Sequence, residues 1–129
     1  MVIDDDSVNN KICNRIIENT IAGASVKTFT DPVKGLEHIK ANYENTSVAK
    51  AILFLDINMP SMTGWDVLAA FERFASTIKD RVKIFMLSSS IDPADIERAR
   101  INPLVAGYVT KSLSKDKLQS AFVDYVRWN

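Results

Sequence analysis

Polar side chains that could act together in phosphoryl chemistry follow four of the five apolar segments of this sequence. They are Asp4, Asp5 and Asp6 after the first segment, Asp56 after the third, Ser88 after the fourth and Lys111 after the fifth. Clustered carboxylates raise one another's proton affinity, and a hard divalent cation such as Mg²⁺ removes that cost by accepting oxygen ligands. A serine hydroxyl and a lysine ammonium could then hold phosphoryl oxygens, as a hydrogen-bond donor and a point charge respectively.

Asp56 is the candidate reactive group. The apolar residues 51–55 indicate a buried strand that ends at this carboxylate. Pro60 prevents the strand from continuing, and Gly64 gives the following turn its conformational freedom. An acid before a proline can also be an ordinary turn residue. Likewise, Asp4 to Asp6 can cap a helix, although three acids in succession exceed what one cap requires.

The elements that would position these side chains alternate between strand and helix. Strands are predicted at 1–3, 24–29, 51–55, 82–87 and 106–110, and amphipathic helices at 7–19, 31–43, 65–75, 92–101 and 114–125. Ser7 is the expected cap of the first helix, with Val8 on its apolar side, and Val33 is expected on the inner face of the second. A first strand of three residues is short for a central position, so we expect the natural strand to begin upstream of Met1.

This alternation predicts an α/β fold with a parallel sheet, right-handed crossovers and helices on both faces. Ligands of such folds bind beyond the carboxyl ends of the strands, at the point where the strand order reverses. Because four of the predicted strands end in the polar residues named above, the sequence predicts that these residues share one edge of the sheet.

Composition excludes several other classes of protein. The 129 residues are 47% hydrophobic and 25% charged, which fits one domain over 1–129. Sixteen basic and sixteen acidic residues cancel, so direct nucleic-acid binding is not expected, and no apolar run is long enough for a membrane helix. Cys13, the single cysteine, is expected in the core, and the cytoplasm is the expected compartment. His38 is expected to be a solvated residue.

Four motifs in this order resemble the receiver domain of two-component response regulators. They are Ile3-Asp4-Asp5-Asp6, Leu55-Asp56-Ile57-Asn58-Met59-Pro60 with Thr63-Gly64, Leu87-Ser88-Ser89, and Gly107-Tyr108-Val109-Thr110-Lys111. The resemblance extends over essentially the whole chain. It implies the doubly wound, flavodoxin-like fold of the chemotaxis-regulator superfamily, a five-stranded parallel sheet in the order 2-1-3-4-5.

The resemblance also implies a phosphoryl-transfer site. Asp56 would accept a phosphoryl group from a phosphohistidine of a sensor histidine kinase or a phosphotransfer protein. Asp5, Asp56 and the backbone carbonyl of Asn58 would bind Mg²⁺ directly, and Asp4 would contribute more through water. Such a domain is expected to be no enzyme beyond its own phosphoryl transfer and dephosphorylation.

Three further residues match positions that hold the phosphoryl group or respond to it. Lys111 would pair with the phosphoryl group, and Ser88 would move to hydrogen-bond it. Tyr108 would turn inward as Ser88 moves, and so change a surface at about Asp92 to Trp128 that binds an unknown downstream protein. Taken alone, Ser88 could be a loop residue, Lys111 a solvated charge and Tyr108 a structural aromatic.

Two other functions are also consistent with the sequence, and one position departs from the family pattern. Asp4-Asp5-Asp6-Ser7-Val8 also fits the signature of haloacid-dehalogenase-like phosphohydrolases, in which Asp4 would be the nucleophile. A pseudo-receiver would keep the fold as an interaction module without phosphorylation. Receivers generally have proline after the lysine, whereas Ser112 follows Lys111 here. Either a trans bond with a shifted loop or a cis bond is expected.

Overall fold

Strands and helices alternate along the chain, with one additional short helix. The strands are β1 (Val2–Ile3), β2 (Thr28–Phe29), β3 (Ala51–Leu55), β4 (Val82–Ser88) and β5 (Val105–Thr110). The helices are α1 (Ser7–Thr20), α2 (Pro32–Tyr43), α3 (Gly64–Glu72), α4 (Ser76–Lys79), α5 (Pro93–Ile101) and α6 (Lys115–Val126). The computed structural model describes residues 1–44 and 49–126, with side chains through Val123. The side chain of Tyr125, expected on the apolar face of the last predicted helix, and the end of the predicted partner surface at Trp128 therefore lie outside what is described.

The strands form one parallel sheet in the order β2-β1-β3-β4-β5, which confirms the predicted fold class and strand order. Consecutive residues of β3 face opposite sides of this sheet: Leu53 and Leu55 lie in one core and Phe54 in another. Helices α2, α3, α4 and α5 contribute to the first core, whereas α1 and α6 contribute to the second. A sheet covered on both faces explains the uninterrupted apolar run of β3.

The cap of α1 differs from the sequence prediction. Asp6, and not Ser7, is the N-cap residue, because its Oδ1 accepts hydrogen bonds from the backbone N–H of Val8 at 2.9 Å and of Asn9 at 3.3 Å. A carboxylate at this position also interacts favourably with the positive end of the helix dipole, which a serine hydroxyl does not. The third acid of the cluster is thus a structural residue.

Four residues expected on the apolar faces of helices are exposed, which corrects the assignment of these faces; Ile12 of α1 and Ile96 of α5 are two of them. Val8 of α1 is 62% exposed and Val33 of α2 is 48% exposed. The buried side of α1 instead carries Asn9, Asn10, Cys13 and Ile17, and that of α2 carries Pro32, Gly35 and Ile39. The apolar pattern misplaced the face of α1 because two of its buried positions are asparagines.

The third helix is shorter than predicted and is followed by an unpredicted turn of helix. The backbone N–H groups of Arg73 and Phe74 bond to the carbonyls of Ala70 and Phe71, which tightens and ends α3. Ala75, predicted to lie within that helix, instead precedes α4 as its N-cap residue. The second strand is also shorter than predicted, since only Thr28–Phe29 pairs with β1. Among the described residues, no helix combines the length and apolarity needed to cross a membrane.

Candidate functional site

The sheet brings the predicted polar residues to a single edge. Ile3 of β1 pairs with Leu55 of β3, so Asp4 and Asp56 follow neighbouring strand ends. The backbone N–H of Asp56 donates to the carbonyl of Ile3 at 2.9 Å. On the other side of β3, Ser88 ends β4, and its carbonyl accepts the backbone N–H of Lys111 at 2.9 Å.

Asp4 is fully buried, and its carboxylate is hydrogen-bonded at both oxygens. Its Oδ1 accepts the backbone N–H of Asp6 at 2.9 Å. Its Oδ2 accepts the side-chain amide of Asn9 at 2.8 Å and the ammonium of Lys111 at 2.7 Å. The amide of Asn10 donates to the backbone carbonyl of Asp4 at 2.9 Å. These bonds fix the position of the carboxylate and offset the free-energy cost of burying its charge.

Sequence reasoning missed Asn9 and Asn10, which hold Asp4 from the first turns of α1. The signal that could have identified them is their position, within one helical turn of an acid cluster at the start of a helix. Asn9 also lies against the sulfur of Cys13, with 3.6 Å between Nδ2 and Sγ. Cys13 itself is fully buried, as predicted, and burial raises the pKa of its thiol to about 11, assisted by the charge of Asp4.

Three carboxylates form a group that could hold a metal ion. One oxygen each from Asp4, Asp5 and Asp56 lies within 4.8 Å of the others. Asp5 is exposed, whereas the other two are buried, so the group opens to solvent on the Asp5 side. An all-oxygen donor set of this kind suits a hard cation such as Mg²⁺. Asn58, also predicted as a ligand, is exposed two residues after Asp56.

Asp56 is 5% exposed, and its charged form is unfavourable in this environment. Burial and, after it, the negative charge of Asp4 raise its pKa to about 6, although Lys111 opposes both. Gly64 lies close behind it, because a Cβ at this position would collide with the backbone carbonyl of Asp56. The Gly64 N–H donates to the carbonyl of Ile57 at 2.7 Å. The predicted turn glycine is thus required for close backbone approach.

Lys111 bridges the two buried carboxylates. Its Nζ lies 2.7 Å from Oδ2 of Asp4 and 3.3 Å from Oδ1 of Asp56, and its side chain is 19% exposed. Burial alone lowers the pKa of this ammonium, but the hydrogen bond to Asp4 and the charges of both carboxylates outweigh burial and raise it. Lys111 is therefore not a solvated surface charge. The Lys111-Ser112 peptide bond is cis, which is the second of the two expected arrangements.

Ser88 and Tyr108 contact the same loop residue. Ser88 is fully buried, and its Oγ accepts the backbone N–H of Ser90 at 3.1 Å. The half-buried Tyr108 donates its hydroxyl to the carbonyl of Ser90 at 2.7 Å. Ser90 in turn donates its hydroxyl to Asp95 of α5 at 2.7 Å. A chain of hydrogen bonds thus leads from the end of β4 to α5.

His38 lies apart from this edge, beside Asn42 and the ring of Phe29.

A doubly wound sheet with buried acids, a lysine and a serine at its carboxyl edge defines a receiver-type α/β domain. The family model of the response regulator receiver domain matches residues 1–123, and the chain therefore belongs to this family. Receiver domains are signalling domains, and their general property is phosphorylation on an aspartate with Mg²⁺. Neither a haloacid-dehalogenase-like hydrolase nor a pseudo-receiver is favoured by these findings.

Solved structures and a curated protein sequence agree with this assignment. A two-component response regulator from Cytophaga hutchinsonii is 27% identical, with a TM-score of 0.89 over 98% of this chain and 94% of that one. The fold is shared with the CheX-CheY-BeF3-Mg complex from Borrelia burgdorferi, at 21% identity, a TM-score of 0.77, and 97% and 86% coverage. Stress response regulator protein 1 from Scheffersomyces stipitis is 33% identical over 67 residues, which is 52% of this chain and 21% of that protein. The match thus spans about a fifth of that relative.

Proposed function

We propose that Asp56 is the phosphoacceptor of this receiver domain and that its donor is a phosphohistidine on a sensor histidine kinase or phosphotransfer protein. The observation that carries the proposal is the placement of Asp56 in a group of three carboxylates, two of them buried and bridged by Lys111. Asp4 is a poorer candidate nucleophile, because its oxygens already accept hydrogen bonds from Asp6, Asn9 and Lys111.

The proposed reaction is an in-line displacement at phosphorus. An oxygen of the Asp56 carboxylate forms a bond to phosphorus, and the P–N bond to the donor imidazole breaks. The bonding electron pair leaves with the imidazole nitrogen, which takes up a proton. With acetyl phosphate as donor, a P–O bond breaks instead and acetate leaves.

The residues that would hold Mg²⁺ are Asp5, Asp56 and the backbone carbonyl of Asn58, with Asp4 acting through water. The oxygen donor set and the solvent-facing position of Asp5 support this assignment. Bound Mg²⁺ neutralises charge on the phosphoryl oxygens. Lys111, already beside Asp56, pairs with the negative charge that phosphorylation adds, and Ser88 supplies a hydroxyl donor from the neighbouring strand end.

The response to phosphorylation is proposed to pass through Ser90. If Ser88 turns its hydroxyl toward the phosphoryl group, its bond with the Ser90 N–H is lost, and the loop that also holds Tyr108 and Asp95 is released to rearrange. This bistable loop would alter the surface around α5, β5 and α6, where a downstream protein binds. Asn58 and Ser89, which flank the site, would set the lifetime of the phosphoryl group.

We further propose that the chain forms one receiver domain over 1–129 with no enzymatic activity beyond its own phosphoryl transfer and dephosphorylation. Its buried single thiol fits a reducing compartment, the cytoplasm. The balanced charge of sixteen basic and sixteen acidic residues supports protein partners over direct nucleic-acid binding.

The test is intact-mass analysis after incubation with acetyl phosphate, with and without Mg²⁺. We expect a phosphoryl adduct that requires Mg²⁺ and is absent from Asp56→Asn. The matched control is Asp116→Asn, which removes an exposed carboxylate on α6 and should leave the adduct intact.

Two outcomes would contradict the proposal. An adduct that persists in Asp56→Asn and disappears when Asp4→Asn is added would identify Asp4 as the nucleophile and favour hydrolase chemistry. No adduct in the wild type, together with no binding of beryllium fluoride as a stable phosphoryl analogue, would favour a pseudo-receiver.

A further inference from the structure

Lys117, in the first turn of α6, extends its ammonium back to the loop that carries Lys111. Its Nζ donates to the carbonyl of Thr110 at 2.7 Å, to the hydroxyl of Thr110 at 3.2 Å and to the carbonyl of Ser112 at 3.1 Å. A lysine ammonium has three N–H donors. Each of the three is therefore matched with an acceptor, and the two carbonyls belong to the residues on either side of Lys111.

The position of Lys117 in its helix is electrostatically unfavourable without these contacts. The N-terminal turn of a helix carries partial positive charge and favours acids, such as Asp116, over cations. Contact with two carbonyls and a hydroxyl offsets this cost, because charged hydrogen bonds are stronger than neutral ones. These contacts therefore favour the position of the Lys117 ammonium on the loop over a position in solvent.

Lys111 requires a well-fixed backbone to perform its bridging role. Its side chain has four rotatable bonds, and its Nζ must lie between Asp4 and Asp56. The backbone N–H of Lys111 is held by the carbonyl of Ser88 at 2.9 Å. The contacts of Lys117 hold the carbonyls of the residues on both sides of it, Thr110 and Ser112.

We propose that Lys117 is a positioning residue for Lys111, which clamps the carbonyls of Thr110 and Ser112 and so aims the Lys111 ammonium into the carboxylate group. The inference rests on the proposed function, because its effect is measured as phosphorylation of Asp56. Lys117 touches neither Asp4 nor Asp56 in the described contacts, so it acts through Lys111.

The first test compares Lys117→Met with Lys115→Met by the initial rate of phosphorylation from acetyl phosphate. Methionine keeps a long apolar stem but removes the three donors. We expect Lys117→Met to lower the rate about tenfold, since small misplacement of a catalytic group has effects of this size or larger. Lys115→Met removes an exposed cation from the same helical turn and should leave the rate unchanged. Lys117→Arg, which keeps a cationic donor, should recover most of the rate.

The second test separates positioning from general loop stability by a double-mutant cycle. In a Lys111→Met background, Lys117→Met should change the remaining rate less than about twofold, because there is no ammonium left to position. A tenfold loss that persists in that background would overturn the inference, and so would a Lys117→Met rate equal to that of the wild type.

A third measurement uses the wild-type protein and does not depend on how variants fold. The side-chain ammonium protons of Lys117, followed by ¹⁵N-edited NMR, should exchange with water about tenfold more slowly than those of Lys115, because they are hydrogen-bonded. Equal exchange would contradict the clamp. Failure of the proposed function has a different signature, an adduct that survives in Asp56→Asn. Phosphorylation at Asp56 with no effect of Lys117 would reject only this inference.

Discussion

The two halves of the site edge are built from different kinds of interaction. In the acidic half, Asp4, Asp5 and Asp56, the two buried carboxylates pair with Lys111, and Asp4 also accepts the side-chain amide of Asn9. The switch half, Ser88, Ser90 and Tyr108, is joined within itself by two neutral hydrogen bonds, and a third bond runs from the Ser90 hydroxyl to the Asp95 carboxylate of α5. Neutral hydrogen bonds contribute about 1 kcal/mol each, whereas breaking a buried ion pair costs several. The acidic half is therefore suited to fixed chemistry and the switch half to rearrangement.

The largest expected effect is that of Lys111→Met, which leaves Asp4 and Asp56 without their shared cation. We expect the rate of phosphorylation to fall about 100-fold through lost electrostatic stabilisation. In metal-free buffer near pH 7.5, the free energy of unfolding should fall by about 3 kcal/mol, as for one partner removed from a buried pair. Urea unfolding measures the second effect.

The pH dependence gives this prediction a definite sign. Lys111 lowers the pKa of Asp56, so its removal raises that pKa further above about 6. The folded variant then binds more protons than the unfolded chain, and its stability is lost as pH rises through the folded-state pKa. The loss of unfolding free energy caused by Lys111→Met should therefore be smaller near pH 5 than near pH 7.5. A loss of equal size at both pH values would show that the acidic half is not held by charge.

Asp56→Asn should have a smaller effect on stability, and of opposite sign. The pKa of Asp56 is raised from 3.8 to about 6, mainly by burial and then by Asp4. The ionised wild-type residue therefore destabilises the fold progressively between about pH 4 and pH 6. We expect Asp56→Asn to be more stable by roughly 1 to 2 kcal/mol above pH 6 without metal, and equal to the wild type below pH 4. Thermal or urea unfolding across this pH range measures the difference in stability. A difference that does not change with pH would contradict the raised pKa of Asp56.

Tyr108→Phe should have the smallest effect, because it removes one neutral hydrogen bond to Ser90 and keeps the packed ring. A loss of about 1 kcal/mol in the free energy of unfolding is expected. The phosphorylation rate should change less than about threefold, since the acidic half is untouched. A rate loss as large as that of Lys111→Met would mean that the two halves do not act separately.

The sequence predicts the sheet well because each buried strand is a short apolar run followed at once by a polar residue. Residues 51–55 and Asp56 illustrate this, and the pairing of Ile3 with Leu55 then places Asp4 beside Asp56. The helix ends and faces are less predictable, because side-chain hydrogen bonds decide them. Asp6, and not Ser7, caps α1 because its side chain accepts hydrogen bonds from two backbone N–H groups, which a hydrophobic pattern does not reveal.

The residues of the candidate site divide in the same way, into those that the strands place and those that side-chain hydrogen bonds place. The residues at strand ends, such as Ser88 and Lys111, were predictable from position alone. The supporting residues Asn9 and Lys117 were not, because each acts through a hydrogen bond from a helix to the segment just before it, and a hydrophobic pattern does not reveal such bonds. Their residue types did offer a weak signal: a polar amide on a buried helix face, and a cation at a helix start where an acid is favoured.

The burial of Cys13 makes the protein convenient for site-directed labelling. Its thiol is inaccessible, and the pKa of about 11 leaves almost no reactive thiolate at neutral pH. A cysteine introduced at Ile91, which is 79% exposed next to Ser90, would therefore react selectively with a maleimide or spin label while Cys13 remains in place. Such a label would test directly, in real time, the proposed movement of the loop between β4 and α5 on phosphorylation.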